Sequence, residues 1–125
     1  VVGTGLGAHV RGVMERFHVH ECEQANRVLD LLRDKGARII GPERAEPHER
    51  AATIAFVPKR GTPEGVMLHL AKRRIAVGGG ADFYARRLIE AVGVDPEVGV
   101  ARVSLVHYNS AEDVDRLLAA LGEVI

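Results

Sequence analysis

One cysteine, Cys22, in a chain of 125 residues rules out an internal disulfide and fits a reducing compartment, so the cytoplasm is the expected location. Net charge of either sign is missing as well. Seventeen Lys and Arg balance 17 Asp and Glu, which removes any global electrostatic reason to expect nucleic acid or an anionic membrane as partner. Although 46% of the residues are hydrophobic, no apolar run approaches the roughly 20 residues of a membrane-spanning helix. The chain opens on a Gly-rich stretch with no basic segment followed by an apolar one, so no signal peptide is read. Val1 in place of methionine is expected of a processed or truncated chain. Internal repeats and low-complexity tracts are absent, and the length suits one core rather than two.

What is present is a regular alternation of patterns. Met14, Phe17, Cys22, Ala25, Val28, Leu29 and Leu32 recur at three- and four-residue spacing and predict a long helix from about 13 to 35, stopped by Gly36. "ARII" and "ATIAFV" are apolar, β-branched runs that predict strands on either side of the charged loop "GPERAEPHER". Thr62 as N-cap and Pro63 at the first helical position predict a helix over 63–73. "IAV" then predicts a short strand, and the triple glycine at 78–80 a close-approach turn. Phe83, Leu88 and Val92 predict one side of a further helix ending at Gly93. "VARVSLV" alternates as a strand, and Ser110 with Asp113 predicts a capping pair for a last helix over 111–121. The fold class is therefore α+β: a small three- to four-stranded sheet with helices on one face, preceded by a long N-terminal helix. Residues 1–12 are expected to be a Gly-rich arm or linker, and 13–125 the domain proper.

Two motifs carry less chemistry than their letters promise. "GTGLGA" at 3–8 matches a dinucleotide-binding fingerprint, but only Val1 and Val2 precede it where a strand is required, and an arm or linker is the better reading. "HVHEC" at 18–22 has metal-ligand residue types without a second cluster at zinc-like spacing, so no metal site is assigned. Serine and cysteine lack a recognisable partner for nucleophilic catalysis.

The final strand is more specific. Strand alternation puts Ala101, Val103 and Leu105 on one face and Arg102 and Ser104 on the other, so Arg102 points away from the helix-covered side. A planar guanidinium on a rigid strand can clamp a carboxylate through two parallel hydrogen bonds. On pattern alone, the plainer alternative is an edge-strand arginine in a surface ion pair.

"RAATIAF", "RRIAVGGGADFYARRLIEAVGV" and "VARVSLVHYNSAEDVDRLLAAL" resemble, in order and spacing, the C-terminal small domain of class V aminotransferases, the cysteine-desulfurase-like group of pyridoxal-phosphate enzymes. The likeness runs from about 13 to 123. It implies that Arg102 binds the α-carboxylate of an amino-acid substrate, that Tyr108 and Asn109 shape the corner between strand and helix, and that Gly79, Gly80 and Tyr84 belong to an active-site loop. It also implies pyridoxal phosphate as cofactor, a large cofactor-binding domain of the same enzyme as partner, and a homodimer. Two departures qualify this. Where cysteine desulfurases carry a nucleophilic cysteine this chain has "GGGADFYA", so persulfide chemistry by that route is not expected. The lysine that holds the cofactor as a Schiff base also has no counterpart, because Lys35, Lys59 and Lys72 fall at a helix end, in a loop and on a polar helix face. The chain alone is therefore expected to be inactive, with no catalytic residue of its own. The alternative from another class is a free-standing α+β module that binds a small ligand or associates with itself through the open sheet face.

Overall fold

A computed structural model describes residues 5–81 and 85–125. Four helices and four strands follow in the order α1 (Leu6–Asp34), β1 (Arg38–Ile40), β2 (Thr53–Val57), α2 (Pro63–Lys72), β3 (Gly78–Gly80), α3 (Arg86–Ala91), β4 (Val100–Ser104) and α4 (Ala111–Gly122). The strands form one sheet in the order β1-β2-β4-β3, antiparallel at every pairing. The α+β class, the small sheet and the long N-terminal helix read from the sequence are thus observed, whereas the helices expected on one sheet face lie on both. An antiparallel sheet has no βαβ unit, which removes the structural context that the "GTGLGA" fingerprint needs.

The core lies on one sheet face. Ile54 and Phe56 of β2 and Ala101 and Val103 of β4 pack against Val28, Leu29 and Leu32 of α1, Val66 and Leu70 of α2, and Val114, Leu117 and Leu121 of α4. Polar ties lock the same layers: Lys35 Nζ donates to the Gly122 carbonyl at 2.7 Å, and Arg27 pairs with Asp115 across α1 and α4. α3 adds a smaller cluster on the opposite face, where Ile89, Val94 and Val100 are buried against Ile40, Ala55 and Val57. The sheet face that carries Arg102 and Ser104, expected to be open, is therefore closed at its Val100 end.

Caps and stops behave as their chemistry dictates. Thr62 Oγ1 accepts from the Gly65 N–H at 3.0 Å, and Ser110 and Asp113 bond each other's backbone N–H, both at 3.1 Å. α1 and α3 run out into Gly36 and Gly93, both left-handed at φ +70° and +73°. α2 ends in the same way, but Arg74 takes the left-handed position at φ +60°, with the Ile75 N–H closing onto the Leu70 carbonyl at 3.0 Å. A side chain there costs about 1 kcal/mol that glycine avoids. Arg74→Gly is accordingly expected to raise stability by about 0.5–1 kcal/mol, read as a higher melting midpoint, and a lower midpoint would refute it.

Three local expectations need correction. α1 begins at Leu6 rather than near 13, so residues 6–12, expected to be an arm outside the helix, are helical. Gly7 and Gly12 cost only about 1 kcal/mol each against alanine, and a helix already nucleated by its buried half from Cys22 to Leu32 propagates through them. This stretch leaves Leu6, Val10, Val13 and Met14 exposed. Second, the strand expected at 75–77 is formed by the glycines themselves. A Cβ on Gly79 would sit 2.7 Å from the Pro63 carbonyl oxygen and 3.1 Å from Met67 Cβ, so α2 lies against a bare backbone that any larger residue would push away. Third, in α3 the buried residue is Ile89 and Leu88 is exposed, while Phe83 lies outside the described residues.

Candidate functional site

β4 is an interior strand, hydrogen-bonded to β2 on one side and β3 on the other, and Arg102 sits at its middle. The side chain projects from the face opposite the main core, because its neighbours Ala101 and Val103 are the buried ones. Register fixes what stands beside it: Ala55 of β2 and Gly78 of β3. A Cβ on Gly78 would lie 3.6 Å from Arg102 Nε and 3.8 Å from a terminal guanidinium nitrogen, so the guanidinium passes directly over Gly78. Two small residues thus form a low floor on either side of a fixed cation. One end of the floor is polar, where the Thr53 hydroxyl donates to Ser104 Oγ at 3.4 Å, and the other is the apolar cluster of Ile89, Val94 and Val100.

The strand is braced at its far end by the corner leading to α4. Asn109 Oδ1 accepts from the Val106 N–H at 2.9 Å, the Asn109 N–H donates to the Val106 carbonyl at 2.9 Å, and the Asn109 carbonyl meets His20 Nε2 at 2.8 Å. His107 stacks on Phe17 with ring centroids 3.9 Å apart. Asn109 therefore fixes the corner and ties it to α1, whereas Tyr108, 76% exposed, meets the His107 ring in a T-shaped contact.

The remaining residues named from the sequence are placed as follows. Gly79 faces α2, on the core side of β3. Gly80 ends that strand at φ +100° and borders a cavity of about 400 Å³ at the sheet edge, with Thr62, Glu64, Met67, Glu97 and Val98. Tyr84 lies outside the described residues. His18 points at His48, with ring centroids 5.2 Å apart, and Cys22 is buried in the main core, so "HVHEC" does not converge. Among the described residues no group of three or more His, Cys, Asp or Glu side chains is arranged to hold a metal ion. Burial, followed by nearby Glu46 and Glu21, pushes the Cys22 thiol up and away from a reactive thiolate. Its place in the core also sets it on the other side of the sheet from Arg102. Lys35, Lys59 and Lys72 are all exposed, none in the desolvated setting that suits a cofactor-holding amine.

Gly78 and Ala55 are the neighbours that sequence reasoning passed over. The signal lay in strand alternation, which puts 55, 78 and 102 on one face, but it needs the β3 register, and β3 was expected three residues earlier.

Both the sequence and the fold of this chain are matched in known proteins. The sequence profile of the family described as "Aminotransferase class-V" matches residues 2–117. The chain belongs to the class V aminotransferase family. Among curated relatives, "Aminotransferase-like protein FGM3" of Gibberella zeae is 28% identical over 121 residues, covering 96% of this chain and 30% of that protein. "Cysteine desulfurase-like protein ustD" of Aspergillus flavus is 27% identical over 101 residues, 78% of this chain and 23% of that protein. Solved structures agree. The apo cysteine desulfurase of Thermococcus onnurineus NA1 superposes with a TM-score of 0.74 at 25% identity, over 86% of this chain and 26% of that one. The cysteine desulfurase CsdA of Escherichia coli gives 0.68 at 25% identity, over 85% and 24%. This chain spans less than a third of the length of these relatives, and no helix among its described residues is long and apolar enough to cross a membrane.

Proposed function

We propose that the chain is the small domain of a pyridoxal-phosphate enzyme acting on an amino acid, and that Arg102 binds the substrate's α-carboxylate. The observation that carries this reading is a guanidinium mounted on an interior strand, between Ala55 and Gly78, with no large side chain on either side of it in the sheet. Residues 1–12 would lead from a large domain that supplies the cofactor lysine. The uncovered stripe of Leu6, Val10, Val13 and Met14 is a surface that the rest of the enzyme would cover, and it weighs against a free-standing module. A homodimer built chiefly through the large domain and a cytoplasmic setting complete the reading.

The cofactor, when bound by the large domain, supplies an electron sink for the bond broken at the substrate's Cα. The chain's own part is orientation. Arg102 takes the carboxylate through two parallel N–H···O bonds, which fixes both its position and the plane of the group. β4 cannot yield because it is paired on both edges, and the Asn109 corner and the capped α4 hold its far end. Transamination, elimination, epimerisation and desulfuration without a thiolate are all compatible with that role, whereas Cys22 is on the wrong side of the sheet for sulfur attack. The isolated chain, with only exposed lysines among its described residues, would not catalyse.

The test is Arg102→Ala in the full-length enzyme. KM for the amino acid is expected to rise on the order of 30-fold, equivalent to about 2 kcal/mol, the low end for truncating one member of a hydrogen-bonded charge pair. The cofactor content released by acid should stay unchanged. An unaltered KM would overturn the assignment.

A further inference from the structure

Gly78 has no conformational need to be glycine. Its φ is not among the positive values, unlike that of Gly80, and its missing side chain does not make way for α2, unlike that of Gly79. Among the described residues, the three nearest atoms that a Cβ at 78 would meet are all from one residue: Arg102 Nε at 3.6 Å, Arg102 Cβ at 3.7 Å and a terminal guanidinium nitrogen at 3.8 Å. From the geometry we infer that Gly78 is a positioning residue, whose bare backbone sets where the Arg102 guanidinium lies, across β3 and toward that edge of the sheet. This inference rests on the reading of Arg102 as the carboxylate-binding group. Gly78 is not itself catalytic, since it acts through Arg102.

The distances grade the expected consequences. A single methyl at position 78 meets Arg102 at ordinary van der Waals separation, so alanine leaves the guanidinium where it is. A branched side chain extends about 1.5 Å beyond that methyl, into the space the guanidinium nitrogens occupy, and must displace them. Ångström-scale misplacement of an orienting group costs up to about 100-fold in the reaction it orients. The backbone effect runs the other way. Valine is the better strand residue, and replacing glycine also reduces the entropy lost on folding, so the fold should not suffer. Stability and substrate binding are thus expected to separate, which a purely structural role for Gly78 would not produce.

The experiment compares Gly78→Ala, Gly78→Val and Arg102→Ala in the full-length enzyme, measuring KM, kcat, acid-releasable cofactor and melting midpoint. Gly78→Val is expected to raise KM about tenfold with an unchanged or higher midpoint and unchanged cofactor content, and Gly78→Ala to stay within about twofold of the parent in KM. If Arg102→Ala raises KM and Gly78→Val does not, the positioning role is overturned and the Arg102 assignment stands. If Arg102→Ala leaves KM unaltered, the underlying reading falls. A Gly78→Val midpoint well below the parent's would assign Gly78 to packing and overturn the inference, and Gly78→Thr, with the same branching, provides an independent second reading of the same steric effect.

Discussion

Gly99→Ala is expected to lower the stability of the fold by about 3 kcal/mol or more, while Gly93→Ala, at nearly the same backbone angle, costs about 1 kcal/mol. Both glycines are left-handed, at φ +72° and +73°, and both pay the strain of a side chain in that region. They differ in surroundings. A Cβ on Gly93 meets no atom of the described residues within 4 Å, whereas one on Gly99 would overlap the Gly80 carbonyl and also crowd the Ala81 nitrogen at 3.0 Å. Those are backbone atoms, so no rotamer change relieves the clash; β3 itself would have to move away from β4. A paired thermal melt of the two variants separates the terms, with roughly 4 °C expected per kcal/mol for a chain of this size. Equal shifts would show that the close approach of 80 and 99 contributes nothing. The functional consequence follows from the register, since β3 carries Gly78 beside Arg102, and a displaced β3 removes the floor under the guanidinium.

How far this could be read in advance depends on which interactions encode each feature. Helix caps at Thr62 and Ser110 and stops at Gly36 and Gly93 are local, and each was legible because one or two residue types determine the backbone there. The outward aim of Arg102 was legible too, from alternation within its own strand. β3 was not. Glycine has low strand propensity, and nothing in "GGG" announces that α2 presses on Gly79, that Gly99 approaches Gly80 or that Gly78 underlies an arginine 24 positions on; each reason is a contact between segments distant in sequence. α1 was misjudged at its start for the complementary reason, because two glycines argue locally against a helix that the buried residues further along propagate. The family resemblance suggested the role proposed for Arg102 and was silent on Gly78, which only the strand register brings next to it.

The division of labour between the two sheet faces leads to the last prediction. β2 alternates Ile54 and Phe56 into the main core with Ala55 facing Arg102, so stability and the candidate site are carried by neighbouring residues on opposite sides of one backbone. Phe56 is fully buried and stands between Ile39 and Ala101 in the register. Phe56→Ala is expected to cost about 3–5 kcal/mol, the transfer of the ring plus the cavity it leaves, and to lower the melting midpoint by on the order of 10–20 °C. A loss below about 1 kcal/mol would mean that the core does not depend on that ring. At temperatures where the variant remains folded, full-length enzyme carrying it should keep its KM, because the cavity opens on the side of the sheet away from Arg102. A KM rise matching that of Gly78→Val would show instead that packing on the core face sets the position of the guanidinium through β4, and that the two faces are mechanically one unit.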